Sequence, residues 1–188
     1  CDCSVCLSSS AKNQRLRSAG LLQIEGRSFL IDAGPDFRQQ ALTHHIHQVD
    51  GLLLTHTHFD HIAGIDDLRI FSTRSGKAIP CLLSEVSLQE LQHRYHYFFN
   101  PGKNLTARFI CTSFAEDQGI IIFEGVSIQY FNYFQGTMKV TGYRIGDFAY
   151  VSDIREYDES IFPGLEGVSH LALSALHWGP SRIHLSIE

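Results

Sequence analysis

The sequence predicts an α/β protein built as a layered sandwich. Two observations lead there. Short apolar runs with strand character fall into an early set, from Leu21 to Leu83, and a late set, from Phe109 to Ala175. Helical periodicity is interspersed with both, which suits two packed sheets flanked by helices better than one parallel sheet. A third observation places the chemistry: the polar stretch Thr55-His56-Thr57-His58-Phe59-Asp60-His61 directly follows the apolar run Gly51-Leu52-Leu53-Leu54, so it sits at a strand end.

Taken in order, Leu21-Leu22-Gln23-Ile24 and Ser28-Phe29-Leu30-Ile31 read as strands joined by a Glu25-Gly26-Arg27 turn. Asp32 ends the second strand, either as a hydrogen-bonding anchor for the neighbouring loop or as a turn aspartate. Phe37 to Leu42 reads as a helix, and His44-His45-Ile46-His47 as a solvated connection. Val49 to Leu54 is apolar enough to be a strand buried on both faces. Ile62, Ile65, Leu68 and Phe71 share one face of a helix expected over 62–71. Pro80 to Leu83 is a further strand, and Ser84 and Ser87 can cap a helix over 88–98 that packs His93 and His96 among aromatics. The late strands are Phe109 to Cys111, Ile120 to Phe123, Val126 to Phe131, Gly142 to Ile145, Phe148 to Val151 and Leu171 to Ala175, with Gly146-Asp147 as a hairpin turn. Ser186 offers a cap for a helix beyond it.

Composition limits the functional classes. The 188 residues are 44% hydrophobic and 19% charged, which fits one globular domain over 1–188. No apolar run approaches the ~20 residues that span a bilayer, so no membrane role is expected. The sequence shows no signal-peptide pattern. A net charge of −5 argues against broad nucleic-acid binding. Cys1, Cys3 and Cys6 form a C-x-C-x-x-C cluster suited to a structural zinc that needs one more ligand; the alternative is three free thiols in a reducing cytoplasm. Cys81 and Cys111 lie in apolar runs and read as buried small hydrophobes. This cysteine usage favours a cytoplasmic location. Both ends read as cropped, because the chain starts on a cysteine of the cluster and stops at a helix-capping position.

The chemistry rests on His56, His58, Asp60 and His61, four ligand-type side chains within six residues. Imidazole and carboxylate suit zinc, manganese or iron. Along an extended segment His56, His58 and Asp60 share a face. His61 joins them only if the chain turns, and Ala63-Gly64 offers a bend. Asp153 also follows a strand and reads as a turn former or as a carboxylate bridging two metals. His184 reads equally as a surface histidine or as an acid or phosphate contact near the cleft.

His56-Thr57-His58-Phe59-Asp60-His61 resembles the H-x-H-x-D-H signature of the metallo-β-lactamase superfamily. Phe29 to Gly34, Leu53-Leu54-Thr55, Gly142 to Asp153, His184-Leu185-Ser186 and the Cys1, Cys3, Cys6 cluster narrow the resemblance to the PhnP-type phosphodiesterases. The resemblance implies a four-layer αββα sandwich, cropped at both ends here, with two divalent ions, zinc or manganese. It implies His56 and His58 on the first metal, Asp60 and His61 on the second, Asp153 bridging, and a structural zinc on Cys1, Cys3 and Cys6. It implies a histidine where this chain has Gln135, in Gln135-Gly136-Thr137-Met138, and a closing histidine pair past Glu188. The activity it implies is metal-assisted hydrolysis of small phosphodiesters such as cyclic nucleotides, with Asp60 and His184 as catalytic residues. The alternatives are ribonuclease Z-like RNA processing, which is less favoured, PqqB-like cofactor biosynthesis, and a metal-degenerate binding protein. A homodimer is compatible with all of them.

Overall fold

The structure, a computed structural model, describes residues 2–100 and 106–188. In chain order the elements are β1 (Gly20–Ile24), β2 (Arg27–Ile31), α1 (Phe37–Thr43), β3 (Gly51–Leu53), α2 (Phe59–Ile62), α3 (Arg69–Ser75), β4 (Ile79–Ser84), α4 (Glu85–Arg94) and α5 (His96–Phe99). There follow β5 (Phe109–Phe114), β6 (Gln118–Phe123), β7 (Val126–Gln135), β8 (Met138–Ile145), β9 (Phe148–Val151), α6 (Phe162–Leu165) and β10 (His170–Leu173). No helix among the described residues is long and apolar enough to cross a membrane.

Two five-stranded sheets form, in the orders β1-β2-β3-β4-β5 and β10-β9-β8-β7-β6. In the first, β1 and β2 make an antiparallel hairpin, and β2, β3, β4 and β5 run parallel. In the second, the strands from β6 to β9 alternate, and β10 joins β9 in parallel. The hairpin turns Glu25-Gly26 and Glu124-Gly125 take positive φ at both central residues. That geometry matches the right-handed twist of the strands they join.

The unbroken apolar runs are explained by alternation between two buried faces. Leu30, Leu52, Leu54, Cys81 and Leu83 pack outward against Phe37, Ile62, Leu68, Phe71 and Leu91 of the helical layer. Phe29, Ile31, Leu53 and Leu82 point the other way and meet Phe123, Ile128, Tyr130 and Tyr143 of the second sheet. Beyond that sheet, Phe131, Tyr133, Val140 and Val151 pack with Ile161 and Leu165 of the short helical segment around α6. The order of layers is therefore helix, sheet, sheet, helix, the αββα arrangement.

Several local expectations are corrected. The helix over 62–71 is three pieces: α2, a 3-10 turn at Ile65–Leu68, and α3. The expected apolar face survives, since Ile62, Ile65, Leu68 and Phe71 are all buried. The break occurs at Gly64, which must lie against Gly34: a Cβ on Gly64 would overlap the Gly34 carbonyl oxygen. The helix expected over 88–98 begins at Glu85, because Ser84 caps it by accepting from the Ser87 amide at 3.2 Å. It breaks at Tyr95, which leaves the helical conformation. His93 and His96 are exposed rather than packed, the aromatic cluster being made by Tyr95, Tyr97 and Phe98. Ser186 forms an isolated bridge with His177, and its hydroxyl donates to the Glu188 carbonyl.

Candidate metal centre

The centre is built where β2 and β3 end side by side. Asp32, just past β2, is fully buried and held at φ 60, an uncommon conformation for a non-glycine residue. Its Oδ1 accepts the Thr55 amide at 2.8 Å, and its Oδ2 accepts the Thr55 hydroxyl at 2.8 Å. Oδ2 also lies 2.7 Å from His61 Nδ1. The reading of Asp32 as a hydrogen-bonding anchor holds. With its proton given to Asp32, the Thr55 hydroxyl can only accept from His56 Nδ1, 2.9 Å away. Both imidazoles thus have Nδ1 committed to a partner and Nε2 turned inward, the orientation a metal ligand needs.

The turn that brings His61 round is α2, locked by backbone contact. The Ala33 amide donates to the His61 carbonyl and the Gly64 amide to the Ala33 carbonyl, both at 2.8 Å. A Cβ on Gly34 would overlap the Asp60 carbonyl oxygen. From the helical side, the Arg94 guanidinium donates to the Thr57 carbonyl at 2.7 Å. From the second sheet, the Thr141 amide donates to the Thr55 carbonyl at 2.9 Å.

Asp153 arrives from the end of β9, also at positive φ, 52. Its amide donates to Ser174 Oγ at 2.7 Å, and the Tyr133 hydroxyl donates to the preceding carbonyl of Ser152 at 2.7 Å. Asp153 Oδ2 lies 2.9 Å from His61 Nε2, and Oδ1 lies 3.2 Å from His184 Nδ1. His56 Nε2 and His58 Nδ1 are 3.0 Å apart. His56, His61 and Asp153 each offer a ligand atom within 4.8 Å of the others. Asp60 stands at the open side, its carboxylate 3.7 Å from His61 Nε2 and about half exposed, at 52%. Gln135, at the end of β7, is buried beside His184, its Nε2 3.2 Å from both ring nitrogens.

Electrostatics follow from the geometry. Burial, reinforced by the charge of His61, lowers the His56 pKa to about 3, so its ring is neutral at ordinary pH. Burial acts in the same direction on His61 but is outweighed by Asp32 and Asp153, which raise its pKa to about 10. Burial works against the charge of Asp153, yet its hydrogen bond to His61 and the surrounding histidines keep its pKa below the ordinary carboxylate value. Without a cation, His61 therefore carries a second proton on Nε2, toward Asp153. The donor set of imidazoles and carboxylates, with Nε2 atoms converging and Nδ1 atoms tied back, fits a divalent metal.

His56, His58, Asp60, His61, Asp153 and His184 are thus gathered at one end of the sandwich. Cys3 and Cys6 lie on the exposed N-terminal segment, with the Cys6 amide 3.4 Å from Cys3 Sγ; Cys1 lies outside the described residues. That amide hydrogen bond, with those of the neighbouring backbone, holds the Cys3 thiol below its ordinary pKa. Sequence reasoning gave Thr55 no role and missed Arg94, Tyr133 and Ser174. Thr55, adjoining the motif, carried a local signal; the other three are distant in sequence and become neighbours only through the fold.

Residues 27–188 match the family described as "Beta-lactamase superfamily domain". A solved structure described as a new diphosphatase from the PhnP family is 32% identical, with a TM-score of 0.87 over 100% of this chain and 71% of its own. Zinc-bound PqqB from Methylobacterium extorquens shares the fold, with a TM-score of 0.69 at 20% identity over 95% of this chain and 68% of its own. Among curated proteins, the octanoyltransferase of Porphyromonas gingivalis (strain ATCC BAA-308 / W83) is 33% identical over 192 residues, covering 100% of this chain. This chain spans only 38% of the length of that relative. The fold, the converging histidines and aspartate, and the match over most of the chain agree: the protein belongs to the metallo-β-lactamase superfamily, within which it resembles the PhnP proteins.

Proposed function

We propose that the chain is a metal-dependent hydrolase of small phosphodiesters, with cyclic nucleotides as the substrate class, and that residues 1–188 act as one domain. The observation that carries this reading is the convergence of His56, His61 and Asp153, with His58 against His56 and Asp60 at the open side. The likeness to a PhnP-family diphosphatase over the whole chain supports phosphorus-centred chemistry. Two divalent ions, zinc or manganese, held by His56 and His58, by Asp60 and His61, and by a shared Asp153, would acidify water and neutralise phosphoryl charge.

The chain's own residues supply position and proton transfer. Asp32 and Thr55 fix the two imidazole rings, so little reorganisation is required. Asp60, partly exposed, orients the attacking water. His184, in contact with Asp153 and half-buried, contacts the phosphate and returns a proton to the leaving oxygen. Cys3 and Cys6, together with Cys1, form a separate structural zinc site, for which the amide-to-sulfur contact in that loop is support.

The test is hydrolysis of bis-p-nitrophenyl phosphate and of cyclic nucleotides by the full chain, with zinc or manganese supplied. Turnover that chelation abolishes and Asp153→Asn removes is expected. No turnover of any phosphodiester, together with octanoyl transfer by the full chain, would replace this reading with the activity named for the Porphyromonas relative.

A further inference from the structure

Two cysteines outside the metal centre face each other across the first sheet. β4 and β5 run parallel, and Cys81 of β4 is the register partner of Cys111 of β5. Both are free thiols, and both belong to the core beneath the helical layer, with Leu83 and Leu91. Neighbouring strands stand about 4.8 Å apart. That spacing falls within the Cα separations of about 4.4–6.8 Å that a disulfide spans. A bond between the two sulfurs is therefore within reach of side-chain rotation. The two thiols differ in access. Cys81 is fully buried, whereas Cys111, on the strand at the edge of the sheet, is partly exposed. They are already in contact. The Cys81 thiol donates a hydrogen bond to the Cys111 sulfur, which holds the Cys111 pKa below the ordinary thiol value against the effect of burial. The same bond, together with burial, drives Cys81 well above that value. The accessible member is thus the one that favours its thiolate, the reactive form.

We propose that Cys81 and Cys111 are a site of reversible oxidation, forming a disulfide between β4 and the edge strand β5 when the protein meets hydrogen peroxide. The Cys111 thiolate attacks one peroxide oxygen. An S–O bond forms, the O–O bond breaks, and hydroxide leaves with the electron pair, giving a sulfenic acid. The Cys81 sulfur then attacks the Cys111 sulfur. The S–S bond forms, the S–O bond breaks, and the departing oxygen takes the Cys81 proton to leave as water. Two thiols lose two electrons and two protons, and one peroxide becomes two waters. The bond fastens β5, which has a neighbouring strand on one side only, to that neighbour. A thiol reductant restores both cysteines by exchange.

The experiment treats the full-length protein with hydrogen peroxide, blocks remaining thiols by alkylation under denaturing conditions and maps the tryptic peptides by mass. Cleavage after Lys77, Arg94, Arg108 and Lys139 puts Cys81 and Cys111 on separate peptides, both apart from Cys3 and Cys6. Oxidised wild type should yield these two peptides joined, lighter than their sum by two hydrogens, and dithiothreitol should part them. In Cys81→Ala the sulfenic acid on Cys111 has no thiol to condense with, so its trapping by dimedone should exceed that of the wild type about tenfold or more. In Cys111→Ala the buried Cys81 should stay reduced. The proposal is overturned if Cys81 and Cys111 are still alkylated as free thiols once Cys3 and Cys6 have been oxidised. It is equally overturned if Cys111 joins a cysteine other than Cys81. Should either variant not fold, the wild-type peptide map decides alone.

Discussion

Asp32 shows how much of this site is made by residues that would not touch a substrate. A fully buried carboxylate meets three donors, two from Thr55 and one from His61, and through them orients both His56 and His61. Asp32→Ala leaves His61 without its buried counter-charge and should cost about 3–5 kcal/mol of stability. The milder Asp32→Asn should weaken metal binding about 10- to 100-fold, read by isothermal titration. A binding isotherm equal to that of the wild type would count against the anchoring role. The raised pKa of His61 also has a direction. Its charged form is favoured by folding, so the metal-free protein holds that stabilisation below the ordinary histidine range and loses it as pH rises toward about 10. Thermal melts of metal-free protein from pH 7 to 10 should fall more steeply than those of Asp32→Asn. Metal uptake must displace the same proton, so proton release should accompany binding, and affinity should increase with pH over this range.

At the scale of elements, the loop after β2 and the turn through α2 act as one piece because their backbones touch. Gly34 leaves no room for a side chain beside the Asp60 carbonyl, and Gly64 none beside the Gly34 carbonyl. Gly34→Ala should therefore push Asp60 and His61 outward, costing about 1–3 kcal/mol by overpacking and lowering metal content, measured by melting and elemental analysis. The same contact explains what was legible in the sequence and what was not. The run Leu52 to Leu54, the alternation through Phe29 to Ile31 and the ligand spacing from His56 to His61 are local patterns; the first two predicted strand and layer, and the third pointed to the candidate site. The helix expected over 62–71 kept its buried face but not its continuity, because a contact with a glycine thirty residues earlier overrides periodicity. The exposure of His93 and His96 was hidden for a similar reason: α4 ends at Arg94 and the break at Tyr95 puts His96 on the separate α5, so one helical period does not run through both.

For the whole molecule, the two sheets are joined by more than apolar contact. The Tyr143 hydroxyl, on the second sheet, lies 2.8 Å from the Leu54 carbonyl and 3.1 Å from that of Leu82 on the first. Tyr143 is completely buried, which drives its pKa well above the ordinary tyrosine value and keeps the hydroxyl a donor. Tyr143→Phe should cost about 1–3 kcal/mol through the carbonyls it leaves unmet, measured by chemical unfolding. Loss of stability without loss of metal would show that the bridge serves the sandwich alone; loss of both would show that the spacing of the sheets also sets the site.

The Thr141-to-Thr55 hydrogen bond adds a consequence for motion. It ties the strand that carries Tyr143 to the residue that orients His56. The loop therefore cannot swing away as a local fluctuation while the sheets stay in register. The amide of Thr141 should exchange with deuterated solvent as slowly as the protein unfolds globally, and at the same rate as the amides of the central strands. A pre-set metal loop of this kind trades breathing for readiness: ions would enter and leave past the exposed Asp60, not through an opening of the fold.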